Sequence, residues 1–340
     1  FVSKALTCAE LCVQRKIRKE KFNNEFFRAS LRKKYLLKKE MKMLFIIGLD
    51  GADHEIIQPM LSAGKLPNLE RIIQTGVYGK LHCPIPALTL PSWASFMTGV
   101  NPGRHNIFDF IKYSNHSYHY TFTNSSDRKA PTLWQRLGTA GYRVAVLGFP
   151  GTYPPEKTNG IMIGGFDSPI SSSIDHTFIY PKENYTSLKK ELSQNPWVFN
   201  SFSEFGDKKS PHWYNNALKS LKESITIKRK TVLALLKKEN FDCIAIHFNE
   251  SDTVGHHFWH FHDKNSPHYQ KECEGEVSNA VETIYQELDY TIGTIENELP
   301  HPHHILILSD HGMGGSSDKV VFLNEFLRKK GYLSYHQQQR

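Results

Sequence analysis

With 340 residues, the chain is long enough for one large α/β domain or two smaller ones. Its hydrophobic fraction of 39% and charged fraction of 22% are those of an ordinary globular protein. No apolar run reaches the length of a membrane span, which excludes a membrane-embedded protein as the interpretation of this composition.

The formal net charge of +8 is concentrated at the start of the chain. Residues 1–42 hold thirteen Lys and Arg against four Asp and Glu, a net charge of +9, which leaves a net charge of −1 for residues 43–340. We therefore interpret residues 1–42 as a basic leader outside the fold. The alternative, an arm that touches RNA or an anionic membrane, predicts a salt-dependent affinity that is lost when this segment is deleted.

The five cysteines are scattered, odd in number and without metal-ligand spacing. This pattern is typical of reduced thiols rather than of a disulfide framework. The start of the chain also lacks the pattern of a signal peptide, so the predicted location is the cytoplasm.

From residue 43 onward, short apolar runs alternate with amphipathic stretches. In chain order, we predict a strand over 43–49, helices over 66–74, 91–97 and 131–140, a strand over 143–149, a helix over 213–238, a strand over 242–248, a helix over 277–299, a strand over 305–308 and a helix over 321–330. Strands separated by helices predict an α/β fold with a mostly parallel sheet and helices on both faces. Residues 166–211, rich in serine and aromatics, are predicted to form an insertion over the sheet edge, outside the sheet.

Chemically reactive side chains follow three of the predicted strands. Asp50 ends the first strand, the pair Asp252 and His256 follows the strand over 242–248, and the pair Asp310 and His311 follows the last strand. The spacing of four places Asp252 and His256 on one side of a helical turn. Each group alone is compatible with an ion pair or a turn, but together they can hold two divalent cations.

A fourth segment supplies a nucleophile. Thr89 lies in a predicted extended segment just before a helix, where a metal ion and a helix N-terminus would favour its alkoxide. By position alone, a cap or turn residue is the favoured interpretation of Thr89. Ser92 is the cap candidate for the helix that follows.

The ordered set resembles the alkaline phosphatase superfamily. The motifs that carry the resemblance are Ile46–Gly51, Thr89-Leu90-Pro91 with Thr98-Gly99, Asp252-x-x-x-His256 and Ser309-Asp310-His311-Gly312, which are similar to the type I phosphodiesterase/nucleotide pyrophosphatase branch. Asn101–Phe110 and Leu323–Leu333 resemble its predicted phosphohydrolase/phosphomutase subgroup. The resemblance implies an alkaline-phosphatase-like catalytic domain over residues 43–340.

By resemblance, Asp50, Thr89, Asp310 and His311 bind one metal, while Asp252 and His256 bind the other. Thr89 would be the nucleophile, forming a phospho-threonine intermediate that water hydrolyses. Zinc is favoured as the metal, and manganese and iron are compatible with the same ligands.

Two departures from the family pattern stand out. Asp109 lies where the branch often has a phosphate-binding asparagine, so we keep it as a candidate for an indirect role in substrate binding. The second metal usually takes a further histidine from beyond the Asp-His signature, so we expect a chain truncated at its C-terminus that binds its second metal weakly.

The sequence predicts a hydrolase of phosphate ester or phosphoanhydride bonds in a small molecule. A phosphomutase of the same superfamily is the enzymatic alternative. A basic RNA- or membrane-binding protein on a degenerate catalytic scaffold is the alternative from another class. The oligomeric state is left open.

Overall fold

The computed structural model describes residues 43–113, 119–165, 176–192, 210–270 and 275–335. The predicted basic leader, residues 1–42, lies outside the described residues and stays a prediction. So does the greater part of the predicted insertion.

A six-stranded sheet forms the centre of the molecule, with the strand order β6-β5-β4-β7-β1-β8. The strands are β1 (Met43–Leu49), β4 (Val144–Leu147), β5 (Gly160–Ile163), β6 (Ile179–Tyr180), β7 (Cys243–Phe248) and β8 (His303–Leu308), and a separate antiparallel hairpin is formed by β2 (Ile111–Tyr113) and β3 (Tyr120–Phe122). All pairings in the central sheet are parallel except β5 with β6. The predicted α/β class with a mostly parallel sheet is confirmed.

Helices cover both faces of this sheet. The α-helices of the described residues are α1 (His54–Ser62), α2 (Pro67–Thr75), α3 (Thr89–Thr98), α4 (Pro102–His105), α5 (Leu133–Thr139), α6 (Asn184–Leu192), α7 (Pro211–Lys238), α8 (Glu250–His262), α9 (Ala280–Glu296) and the exposed α10 (Leu323–Lys329). One apolar core lies between the sheet and α1, α2, α7, α8 and α9, and a second lies between the sheet and α3 and α5. Strand β1 is apolar on both faces because its alternating side chains, such as Ile46 and Ile47, enter opposite cores.

The start of α3 differs from the prediction. The helix begins at Thr89 rather than Pro91, so Pro91 is its third residue. A proline is tolerated there because the first N–H groups of a helix have no partner within the helix. Thr89 therefore lies in the first helical turn, and its predicted extended conformation was wrong.

Two residues of the predicted insertion join the sheet. Ile179 and Tyr180 form β6, which pairs with the edge of β5 through Met162 and Ile163. The prediction that residues 166–211 lie wholly outside the sheet was wrong for these two, because a two-residue strand leaves no periodic pattern in the sequence. Among the described residues, no helix is both long and apolar enough to cross a membrane.

Candidate catalytic centre

The three strand ends that carry the predicted ligands meet at one edge of the sheet. Strand β1 lies between β7 and β8, and Gly48 is in register with Leu308 while Leu49 is in register with Phe248. Since the three strands are parallel, the residues that follow them emerge side by side. The sheet order thus brings Asp50 next to the segments that contain Asp252 and Asp310.

Asp50 is almost fully buried, and its two carboxylate oxygens have different surroundings. Oδ2 accepts hydrogen bonds from His247 Nε2 at 3.0 Å and from Trp93 Nε1 at 3.2 Å. Oδ1 lies 3.4 Å from His311 Nε2. Burial raises the pKa of the Asp50 carboxyl, but the hydrogen bond from His247 and the proximity of His311 outweigh it and hold that pKa below its ordinary value. Asp50 is therefore ionised at neutral pH.

Asp310 and His311 follow β8 into the same place. Asp310 Oδ1 accepts a hydrogen bond from the Gly51 N–H at 3.1 Å, and Asp310 Oδ2 lies 3.4 Å from His311 Nε2. Burial, together with the negative charge of Asp50, raises the pKa of Asp310 to about 8. The carboxylates of Asp50 and Asp310 repel each other when both are ionised, and a cation bound between them would remove that repulsion.

His311 presents one ring nitrogen to the cluster. Its Nδ1 donates to the Gly312 carbonyl at 2.9 Å, so Nε2 is the nitrogen that faces the carboxylates. Burial lowers the pKa of His311, but its bond to Asp50 and the charge of Asp310 outweigh burial and raise that pKa to about 10. A proton at Nε2 thus occupies the position that a metal ion would take.

Asp252 and His256 lie on one side of α8, with Asp252 Oδ1 3.4 Å from His256 Nε2. The expected same-side arrangement is confirmed. The helix begins at Glu250, two residues before Asp252, and His256 is largely exposed whereas Asp252 is partly buried. Gly51 makes room for Asp252, since a Cβ at Gly51 would lie 2.9 Å from Asp252 Oδ1.

Thr89 completes the cluster from the opposite side. Its Oγ1 lies 3.2 Å from His311 Nε2, at the N-terminus of α3. Ser92, the predicted cap, is instead the fourth residue of this helix, and Leu88 takes the N-cap position without a side-chain bond. The cap prediction was wrong because it placed the start of the helix too late.

Asp109 has a different environment. Its side chain is exposed and Oδ1 accepts a hydrogen bond from the N–H of Phe110 at 2.6 Å. It is not among the side chains that form the carboxylate and histidine cluster in the described residues. Its indirect role in substrate binding stays a prediction.

The cluster fits a divalent cation. One ligand atom each from Asp50, Asp252 and His311 lie within 4.8 Å of one another. In the described part of the chain, three buried carboxylate oxygens accept no hydrogen bond: Asp50 Oδ1, Asp252 Oδ1 and Asp310 Oδ2. A buried carboxylate oxygen that accepts no hydrogen bond lacks the solvation it has in water, and a cation among these oxygens would supply it. The cluster includes residues from both predicted metal sets, so the division between two cations stays a prediction.

Two residues of this centre were not predicted from the sequence. Neither Trp93 nor His247 was predicted to belong to the site, yet both donate to Asp50. The available signal was an imidazole inside the otherwise apolar run Cys243–Phe248, next to a strand that ends in a carboxylate.

Comparison with known proteins gives one family and a consistent set of folds. The model of the family described as type I phosphodiesterase / nucleotide pyrophosphatase matches residues 44–339. Phosphonoacetate hydrolase from Sinorhizobium meliloti 1021, solved with phosphonoformate, superposes with a TM-score of 0.54 at 17% identity, over 85% of this chain and 62% of that one. An inactive form of murine ectonucleotide pyrophosphatase/phosphodiesterase 5 with AMP superposes with a TM-score of 0.50 at 15% identity, over 86% of this chain and 62% of that one. At these identities the likeness shows the fold, and the chain spans less than two thirds of the length of these structures.

Proposed function

Because the chain belongs to the type I phosphodiesterase/nucleotide pyrophosphatase family of the alkaline phosphatase superfamily, we propose that it is a metal-dependent phosphohydrolase with Thr89 as its nucleophile. The observation that carries this proposal is the approach of Thr89 Oγ1 to His311 Nε2, 3.2 Å apart, beside three buried carboxylate oxygens that accept no hydrogen bond. A hydroxyl, an imidazole and carboxylates converging on one point support nucleophilic attack on phosphorus.

The metal ligands in this proposal are those that the sequence predicted. They are Asp50, Thr89, Asp252, His256, Asp310 and His311, which suit two divalent cations, with zinc favoured. When bound, the cations would polarise a phosphoryl oxygen and lower the pKa of the attacking hydroxyl. The convergence of ligands from three strand ends supports this assignment.

The other steps of the proposed reaction are carried out by residues of the chain. The N-terminus of α3 directs N–H groups and a partial positive charge towards an anion at Thr89. Thr89 Oγ1 forms the bond to phosphorus while the bond from phosphorus to the ester oxygen breaks. Water then releases phosphate from Thr89 and restores the hydroxyl.

The substrate class is a small phosphomonoester, phosphodiester or nucleotide pyrophosphate. The phosphonoformate and AMP complexes of the two structural neighbours support a small phosphorus-containing anion. The cytoplasm remains the proposed location, supported by the scattered cysteines, of which Cys83 and Cys243 are free thiols in the structure.

The test is hydrolysis of nitrophenyl phosphate mono- and diesters by the purified chain with zinc or manganese. We expect Thr89→Ala and Asp310→Asn each to lower kcat/KM at least about 10³-fold, because the first removes the nucleophile and the second removes a charged ligand of the metal that activates it. Thr98→Ala is the matched control, since Thr98 lies at the other end of α3 and donates to the Ala94 carbonyl. Activity that survives both site substitutions would contradict the mechanism.

The same assay in oxygen-18 water separates hydrolase from mutase. A hydrolase places the label in the released phosphate, whereas a mutase returns the phosphoryl group to another hydroxyl without taking up the label. Unlabelled product phosphate would favour the phosphomutase.

A further inference from the structure

Two buried side chains from different elements meet at one oxygen of Asp50. His247 comes from β7 and Trp93 from α3, and their nitrogens lie 3.0 Å and 3.2 Å from Asp50 Oδ2. Because a carboxylate oxygen accepts, both nitrogens donate, and His247 must hold a proton on Nε2. Both side chains are at most 1% exposed, so water does not replace either donor.

The two donors leave the carboxylate of Asp50 asymmetric. Oδ2 is occupied by both of them, whereas Oδ1 is buried, accepts no hydrogen bond and lies 3.4 Å from His311 Nε2. Rotation of the carboxylate out of this plane would break two buried hydrogen bonds to a charged group, and their burial keeps water from replacing them. The free oxygen is therefore fixed towards His311 and Asp252.

The donors are themselves held rigidly. The Trp93 and His247 rings pack edge to face with centroids 4.9 Å apart, and Phe149 packs against Trp93 at 5.3 Å and against His247 at 5.5 Å. Gly48 gives the indole its space, because a Cβ there would lie 2.6 Å from the Trp93 ring. This packing leaves neither ring an alternative position.

Trp93 also connects Asp50 to the nucleophile. It lies four residues after Thr89 on α3, which places both side chains on the same side of the helix one turn apart. The hydrogen bond from Trp93 to Asp50 therefore fixes the distance between the helix that carries Thr89 and the strand that ends in Asp50.

We propose that His247 and Trp93 are positioning residues, which turn one oxygen of Asp50 towards a divalent cation and align α3 with it. This inference depends on the proposed function in one respect, the assignment of Asp50 as a metal ligand. Hydrogen-bonding partners of metal ligands commonly contribute a factor of about 10–100 to metal affinity.

The experiment measures zinc affinity by competition with a chromophoric chelator, and so does not depend on turnover. We expect Trp93→Phe and His247→Leu each to weaken zinc binding about 10–100-fold. His247→Gln, which can still donate to Asp50, should stay within about threefold of the wild type.

Trp134→Phe is the matched control for loss of packing. Trp134 is equally buried in the same core and packs on Phe149 at 5.4 Å, but within the described residues its indole N–H has no hydrogen-bond partner. We expect it to shift the unfolding temperature as Trp93→Phe does while leaving zinc affinity unchanged.

Three results would each overturn the positioning roles. Trp93→Phe and His247→Leu could bind zinc as tightly as the wild type, Trp134→Phe could weaken zinc binding as much as they do, or the wild-type chain could bind no zinc. The proposed function fails differently. If zinc affinities follow the expected order but the wild type hydrolyses none of the phosphate esters, the positioning roles stand and the assigned reaction is wrong.

Discussion

Gly51 shows how a single backbone position controls the approach of two ligands. It has a left-handed φ of 59°, which is strained for other residues, and it directly follows Asp50. A Cβ there would also lie 3.2 Å from the Asp252 Cβ and 3.3 Å from its Cα. The glycine lets the end of β1 approach the first turn of α8 closely, which brings the carboxylates of Asp50 and Asp252 into one cluster.

We therefore expect Gly51→Ala to lower the free energy of unfolding by about 1–2 kcal/mol through backbone strain, and to weaken zinc binding by displacing Asp252. Gly64→Ala provides the control, because Gly64 has a φ of 68° with no atom within 4 Å of the added Cβ. Urea unfolding and zinc titration of both variants separate the two effects. Equal zinc affinity in the two variants would show that crowding at Asp252 has no effect on the site.

Some residues of the centre could be predicted from the sequence and others could not. The proximity of Asp50, Asp252, Asp310 and His311 could be predicted because each lies within four residues of the end of an apolar run and has the chemistry of a metal ligand. His247 and Trp93 could not, because their importance comes from which oxygen they contact, and that depends on the alignment of three separate elements. An imidazole or an indole in an apolar segment has the same sequence pattern whether it only packs in the core or also orients a metal ligand.

At the level of elements, α8 carries Asp252 and is anchored to α7 by a buried ion pair. Glu250 is fully buried and accepts hydrogen bonds from Ser224 at 2.5 Å and from Lys228 at 3.0 Å. Lys228 also donates to the Asn249 side chain at 2.8 Å. These contacts fix the turn between β7 and α8, two residues before Asp252.

Lys228→Met should lower the free energy of unfolding by about 3–5 kcal/mol, because it leaves the buried carboxylate of Glu250 without its cation. Lys222→Met is the control on the same helix, and should cost less than about 1 kcal/mol because the pair of Lys222 with Glu276 is exposed. Chemical denaturation of both variants measures the difference. Similar losses would show that the Glu250 pair contributes no more than a surface pair.

The elements themselves were predictable where the hydrophobic pattern is long. The strands β1, β7 and β8 and the helices α7 and α9 follow from their apolar periodicity, although the predicted helix over 277–299 is α-helical only over Ala280–Glu296 and begins with a 3₁₀ turn. Helix α1 was not predicted because Pro59 lies inside it and interrupts the pattern. Short elements such as β6 depend on tertiary pairing, which the local sequence does not encode.

For the whole molecule, we expect the free energy of unfolding to depend on whether this centre binds a metal ion. Three buried carboxylate oxygens without hydrogen bonds oppose folding, and a cation among them reverses that effect. Zinc at about 100 times its Kd should stabilise the folded chain by about 2.7 kcal/mol and raise the unfolding temperature by several degrees. Differential scanning fluorimetry with and without a chelator measures this shift. Asp252→Asn serves as the control, in which the shift should shrink; an unchanged unfolding temperature in the wild type would contradict metal binding at this centre.

The position of β1 between β7 and β8 also has a consequence for how the protein is made. Asp50 is synthesised well before the residues that complete its surroundings, because His247 and Asp310 are 197 and 260 positions further along the chain, and Gly51 is 259 positions from Asp310. Contacts so distant in sequence form slowly and cannot form before both partners exist. A nascent chain therefore cannot assemble this centre until Asp310 and His311 have been synthesised and have left the ribosome, so binding of a metal ion by the complete set of ligands would have to follow that point.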